Sequence, residues 1–300
     1  MATAKGKSLI TETPVWFITG CSTGFGRELA KHVLALGYHA VVTARHPDQV
    51  KDLPTTEEDL VLALDVTDKK QIQSAISAAE GKFGRIDVLV NNAGIGYFAA
   101  VEEGEDKEVR RMFEINVFGL AQMVQAALPG MRRLGKGVIV NISSIGGLTS
   151  LPSLGYYNAT KFAVEGLSGA LRQEVEPLGI KVMVVEPSGF RTDWAGRSAN
   201  GSQDQIPAYA KTSGAVRQYI RANSGKQAGD PVRAARAIVN AVDSGNPPHH
   251  LLLGNDAYQS AMANLEELRK EFSSSETVSR GADFPKEKES QKALETAHAH

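Results

Sequence analysis

Tyr157 and Lys161, in the run Tyr157-Asn158-Ala159-Thr160-Lys161, stand four residues apart. On a helix that spacing puts a phenol and an ammonium on one face. A phenol titrates near ~10, too high for acid–base work at neutral pH, and a neighbouring cation that stabilises phenolate lowers that value. Tyr156 is the competing phenol, but five residues before the lysine it lies off that face. Such a pair arises often by chance. Its place gives it weight: it follows Asn141-Ile142-Ser143-Ser144, the end of an apolar strand pattern, and open α/β sheets bind ligands at the carboxyl ends of their parallel strands.

A second group of residues could hold a phosphate. After the first apolar run comes Thr19-Gly20-Cys21-Ser22-Thr23-Gly24-Phe25-Gly26, and a helical pattern follows at once. Glycines let a strand turn sharply into a helix and let a pyrophosphate approach bare amides at the positive helix end. The spacing is G-x-x-x-G-x-G rather than G-x-G-x-x-G, so its position in a βαβ unit is what points to a dinucleotide. About 25 residues on, the second strand ends in Ala44-Arg45-His46. An acid there would bind the adenosine ribose hydroxyls of NAD; Arg45 instead suits the 2′-phosphate of NADP. The expectation is NADP(H) preferred, with NAD(H) possible.

The elements that must position these groups alternate. Apolar runs at 15–19, 39–44, 60–64, 86–91, 137–143, 181–186 and 250–253 read as strands, several apolar on both faces as strands covered by helices are. Amphipathic stretches at 25–36, 69–83, 106–128, 155–178 and 231–244 read as helices, the last with Asp230 as cap and Pro231 in its first turn. Strict alternation predicts α/β architecture: one doubly wound, Rossmann-like parallel sheet of about seven strands with helices on both faces. Residues 1–14 form an arm, 15–254 the nucleotide-binding catalytic domain, and 255–300 a C-terminal helix and polar tail. Within the domain, 190–229 breaks the rhythm after the sixth strand, where a substrate lid would sit.

With these residues in hand, the chain resembles the short-chain dehydrogenase/reductase family from about residue 15 to 253. The motifs that carry the resemblance are the glycine loop, Leu64-Asp65-Val66, Asn91-Asn92-Ala93-Gly94, Asn116 in INVFG, Ser144 thirteen residues before Tyr157, and Tyr157/Lys161. The resemblance implies a carbonyl reductase or alcohol dehydrogenase. Tyr157 would exchange a proton with the substrate oxygen and Ser144 would hydrogen-bond that oxygen. Lys161 would hold the nicotinamide ribose and depress the tyrosine pKa, and Asn116 would anchor a water in a proton relay. Gly20, Ser22, Thr23, Gly24, Phe25, Gly26, Arg45, Asp65, Val66, Asn92, Ala93, Gly94, Pro187, Gly189 and Thr192 would meet the cofactor. The family's Pro-Gly-x-x-x-Thr is here Pro187-Ser188-Gly189-Phe190-Arg191-Thr192. A serine at 188 tolerates positive φ less readily than glycine, which bears on the path of that loop. A homodimer or homotetramer through the long helices is also implied.

Composition narrows the rest. Thirty-three basic against 34 acidic side chains leave no footprint for nucleic acid or an anionic membrane. No apolar run approaches the ~20 residues of a membrane span, and the single cysteine, Cys21, gives no reason for an oxidising compartment. A cytoplasmic protein is expected. Gly96, Tyr97, Ile145, Leu151, Phe190 and Trp194 are expected to line a mostly apolar substrate site, suited to a bulky ketone or secondary alcohol. His249-His250 has no further ligand cluster in the sequence, so no metal site is expected. Two other readings stay open: an NADP(H)-binding regulatory sensor without turnover, against which the intact proton-transfer groups weigh, and an epimerase or dehydratase of the longer related type.

Overall fold

The computed structural model describes residues 13–196 and 198–283; residues 1–12 of the expected arm and 284–300 of the expected tail lie outside the described residues. The strands are β1 (Val15–Ile18), β2 (His39–Ala44), β3 (Leu60–Ala63), β4 (Val88–Asn91), β5 (Gly96–Phe98), β6 (Gly137–Ile142), β7 (Ile180–Pro187), β8 (Ala199–Gly201) and β9 (His250–Leu253). Seven of them form one sheet in the order β3-β2-β1-β4-β6-β7-β9, with every pairing parallel. The chain winds outward from β1 to β3, returns beside β1 as β4, and winds the other way to β9. The carboxyl ends of β1 and β4 therefore flank the point where strand order reverses, the place where such sheets leave a crevice. The short strands β5 and β8 pair separately.

Alternation along each strand supplies two cores, one per face. On one face Trp16, Ile18, Val42, Val90 and Val140 pack against Leu29 and Val33 of α1 (Gly24–Ala35). The helix that follows residue 230 is described with the rest: α2 (Lys69–Phe83), α3 (Asp106–Phe113), α4 (Leu120–Leu134), α5 (Gly155–Val175), α6 (Ala215–Ala222), α7 (Pro231–Asp243) and α8 (Asn255–Ser274). Ile238 and Val239 of α7 complete that first core. On the other face Phe17, Val41, Leu89, Ile139 and Val182 pack against Ile76 of α2, Met123 of α4 and Val164 of α5. The doubly wound sheet with helices on both faces is as the alternating pattern predicts.

Side-chain caps mark the starts of α2 and α7. Asp68 accepts from Lys70 N at 2.8 Å and Gln71 N at 3.2 Å, and Asp230 caps α7 in the same way with Pro231 behind it. The single helix expected over 106–128 is different. It is interrupted by a π-helical segment, Glu114–Gly119, and then runs through Pro129 to Leu134. A proline normally ends a helix by removing one N–H and crowding the preceding turn. Here Met123, Val124, Ala127 and Met131 are all buried, and their packing outweighs that local cost. The π segment lets Gly119 press against Val66, where a Cβ would come within 2.8 Å of the Val66 carbonyl oxygen.

Residues 190–229 are folded over much of their length. A turn at Asp193–Ala195, β8, the helical turns Pro207–Tyr209 and Ala210–Gly214, and α6 account for about half of the segment. It is fastened by Glu103, which is buried. Its Oε1 accepts from Ile206 N at 2.9 Å and its Oε2 faces Arg217 Nη1 at 3.3 Å, with Ser202 Oγ also at 3.3 Å. One compact unit closes at Ser260 and a second begins at Ala261. The described part of the second is the remainder of α8 and a short helix, Glu276–Arg280, carrying exposed Met262, Leu265, Phe272 and Val278. Among the described residues no helix is long and apolar enough to cross a membrane.

Candidate active site

A cleft of about 770 Å³ opens at the carboxyl ends of β1, β4, β6 and β7. At one part of it the glycine loop turns into α1. Gly20 and Gly24 hold φ of +72° and +60°, backbone that glycine adopts without strain. Thr23 precedes α1 with no side-chain cap bond, and the first turn of α1 holds no acid. Ser22, Thr23, Gly24 and Phe25 line the cleft. An uncapped helix end beside bare amides is a ready anion site, so this chain's residues fit the pyrophosphate of a dinucleotide.

Gly26 does something else. It does not line the cleft; it leaves room for Asn92, whose Nδ2 donates to Thr19 O at 2.8 Å and to Gly20 O at 3.0 Å. The backbone N–H groups of Asn92 and Ala93 both reach Thr19 Oγ1, at 2.9 and 3.0 Å. The loops after β1 and β4 are thus knitted together, and Asn92, Ala93 and Gly94 present their edge to the cleft. Arg45, exposed at the end of β2, lines it too, with Leu64, Asp65 and Val66. Asp65 is not a helix cap, since Asp68 takes that place. One Asp65 oxygen accepts from Thr67 N and Oγ1 at 2.9 and 2.7 Å.

Tyr157 and Lys161 come from the start of α5 and Ser144 from the end of β6. The Ser144 hydroxyl lies beside that of Tyr157 and opposes the rise in the phenol's pKa, and Ser144 Oγ accepts from Gly146 N at 3.0 Å. Lys161 Nζ donates to Ile142 O at 2.8 Å and lies 5.7 Å from the centre of the Tyr157 ring. The lysine was expected to depress the tyrosine pKa. The structure corrects this for the protein alone: burial pushes the phenol up to about 12, the Ser144 bond pulling the other way. Burial also brings the Lys161 ammonium down to about 8, with the Glu165 carboxylate opposing. Removing water from either charge costs more than a neighbour 5–6 Å away returns.

Asn116 is buried behind the cleft wall rather than in it. Its Oδ1 accepts from Ile95 N and its Nδ2 donates to Ile95 O, both at 2.9 Å, and to Thr160 Oγ1 at 3.2 Å. The side chain clamps the segment after β4 to α5. Pro187, Gly189 and Thr192 line the cleft. Ser188 does not adopt positive φ, because Ser153 is the single such non-glycine among the described residues; its N donates to Leu253 O at 3.0 Å, so the loop continues the sheet's bonding and needs no glycine at 188.

Of the expected apolar lining, Gly96, Ile145, Leu151, Phe190 and Trp194 face the cleft. Tyr97 does not: it is buried, and its hydroxyl accepts from Glu105 N at 3.1 Å. The Trp194 ring packs 5.0 Å from that of Tyr157. Leu154, Ile220, Arg111 and Lys226 also line the cleft and were not singled out from the sequence. Nothing in their local pattern separates them from ordinary helix and loop residues.

His249-His250 was expected to lack ligating company. The fold supplies it, bringing His250 Nδ1 to 2.6 Å from Glu186 Oε1 and 3.9 Å from Glu165 Oε2. Burial, and for Glu165 the like charge of Glu186, push both carboxyls up to about 7.

The model of the short chain dehydrogenase family matches residues 14–203, which hold six of the seven strands of the main sheet. The chain belongs to the short-chain dehydrogenase/reductase family. Oxidoreductase BOA17 of Botryotinia fuckeliana is 39% identical over 252 residues, 83% of this chain and 92% of that protein. A 3-ketodihydrosphingosine reductase of Bacteroides thetaiotaomicron is 36% identical over 238 residues, 79% of this chain and 86% of its own. A solved short-chain dehydrogenase of Streptomyces avermitilis superposes with a TM-score of 0.84 at 42% identity, covering 90% of this chain and all of that one. ElxO solved with NADP bound matches at 28% identity and TM-score 0.67, over 83% of this chain and 100% of its own. A 3-ketoacyl-(acyl-carrier-protein) reductase of Brucella melitensis complexed with NADH matches at 27% and 0.67, over 80% and 96%. This chain is thus an oxidoreductase of a family in which several solved relatives hold nicotinamide cofactors.

Proposed function

We propose that the chain is an NADP(H)-dependent carbonyl reductase, also able to run as an alcohol dehydrogenase, acting on a bulky hydrophobic ketone or secondary alcohol. The observation that carries the reading is the Tyr157 hydroxyl, beside Ser144 and one helical turn from Lys161, in the same cleft as an uncapped helix end and Arg45. The bound cofactor supplies the hydride. Ser22, Thr23 and Gly24 hold its pyrophosphate through backbone amides, and Arg45 grips the adenosine 2′-phosphate. Asp65 and Val66 flank the adenine, and Thr192 reaches the nicotinamide end.

Tyr157 Oη donates its proton to the carbonyl oxygen as negative charge develops there, and Ser144 hydrogen-bonds the same oxygen. A phenol held near 12 is fully protonated at neutral pH, the state that reduction requires. Lys161 keeps one N–H on Ile142 O, which leaves two donors for the nicotinamide ribose. Asn116 is a positioning residue that holds the β4 loop against α5. The segment over 190–229, fastened through Arg217, covers the site and excludes water. Leu154, Trp194 and Ile220 beside Tyr157 favour an apolar substrate, and a relative named for reducing 3-ketodihydrosphingosine fits that class.

The test is NADPH oxidation across a panel of aromatic, steroidal and long-chain ketones, with Tyr157→Phe beside the wild type. Turnover falls at least ~100-fold, the scale of a lost general acid, while NADPH affinity is retained. Near-normal turnover in the variant overturns the assignment, and NADPH binding with no turnover on any ketone favours a sensor.

A further inference from the structure

Near Lys161, three elements bring a second set of groups together. Glu165 lies one helical turn after Lys161 on α5, Glu186 near the end of β7, and His250 at the start of the edge strand β9, where it pairs with Val184. One donor atom from each of the three lies within 4.8 Å of the others. We infer that Glu165, Glu186 and His250 form a binding site for a borderline divalent cation of the zinc type.

The carboxylates are the reason. Glu186 is fully buried, and its Oε2 has no hydrogen-bond partner among the described residues; the same holds for both oxygens of Glu165. The Ser143 hydroxyl sits beside Glu165 and opposes the rise in its pKa, and Lys161 spends its short contact on Ile142 O. Buried carboxylate oxygens without a hydrogen-bond partner are rare in folded proteins, and a bound ion is one thing that satisfies them. With both carboxyls ionised and the imidazole neutral the set carries a net charge of −2, which a divalent ion neutralises. The donor set of one nitrogen and two oxygens is one that zinc accepts, leaving a fourth position for water.

The spacing also fits. Tetrahedral zinc with bonds of ~2.1 Å has ligand–ligand edges of roughly 3.4 Å. The separations from His250 Nδ1 here are 2.6 Å to Glu186 and 3.9 Å to Glu165, so those two edges change by less than about 1 Å through rotation of a carboxylate. His250 keeps 53% of its side chain exposed while Glu186 has none, so an ion enters past the imidazole. Once bound it clips the edge strand β9 to β7 and α5, beside the lysine of the candidate active site.

Metal-free, full-length protein titrated with zinc chloride in a calorimeter tests this, with cobalt chloride as a visible-absorbance probe of geometry. One equivalent binds, and affinity falls by at least ~10-fold, the scale seen even for lesser changes to a metal shell, in both Glu186→Gln and His250→Ala. His250→Ala alters a half-exposed side chain and keeps the test alive should Glu186→Gln fail to fold. His298 and His300 lie outside the described residues, so the double variant His298→Ala/His300→Ala is titrated too and retains the site. No stoichiometric zinc binding, affinity unchanged in His250→Ala, or loss of the equivalent in the tail variant each overturns the proposal.

Discussion

Replacing Gly26 by alanine isolates what knits the cofactor loops together. The new Cβ would lie 2.5 Å from the Gly20 carbonyl oxygen and closer still to Asn92 Nδ2, wedged between an amide and the carbonyl it binds at 3.0 Å. One or both Asn92 bonds break, at ~1 kcal/mol net each, and forcing atoms into a filled site costs a further ~1–3 kcal/mol. Gly26 is helical, so alanine returns up to ~1 kcal/mol of propensity. The balance is a loss of about 1–4 kcal/mol. Gly81 in α2 is the control, because nothing lies within 4 Å of a Cβ there; Gly81→Ala keeps the propensity gain and is stabilising by up to ~1 kcal/mol. Urea unfolding followed by circular dichroism reads both, with the slope m unchanged, and NADPH titration of Gly26→Ala shows weakened affinity because Ser22–Gly24 move with the loop. If Gly26→Ala proves as stable as Gly81→Ala and binds NADPH normally, the close packing of these loops is not what holds the anion site.

Arg45→Ala lowers the ratio of NADPH to NADH affinity by ~10–100-fold, the value of one charge-assisted contact; an unchanged ratio removes the NADP preference. Arg217→Ala leaves the Glu103 carboxylate buried beside two backbone N–H groups but no cation. Breaking such a pair costs ~3–5 kcal/mol, and those N–H bonds put the cost at the lower end. Limited proteolysis then cuts first between 199 and 222, before the sheet, and uniform loss of resistance would refute a local latch. With Lys161 brought down to about 8 and Tyr157 up to about 12, ketone reduction is level from about pH 6 to 7.5 and declines through pH 8 as the ammonium loses its proton. A decline that begins only near the ordinary lysine value of ~10.4 would show that burial is not setting the lysine.

What could be read from the sequence, and what could not, divides by range of interaction. Strands such as Val15–Ile18 and Val88–Asn91 are buried on both faces, so their apolar runs announced a covered parallel sheet without knowledge of any partner. Tyr157, Lys161 and Ser144 were legible because helical periodicity and one strand–loop–helix step suffice to bring them together. Asp230 and Pro231 marked α7 by purely local chemistry. The π segment and the passage of α4 through Pro129 were not legible, since buried Met123 and Met131 decide them against local preference. Tyr97 was misplaced for the same reason: β5 pairs with β8 a hundred residues later, and that pairing turns the ring into a core with Phe98 and Met112. Glu165, Glu186 and His250 are separated by 21 and 64 residues and meet only because β9 adds to the edge of β7 in one register. A one-residue slip there would move His250 to the opposite face of the sheet. The carboxylates would then stand without it, so the cluster depends on the last strand added to the sheet, and no motif could have foretold it.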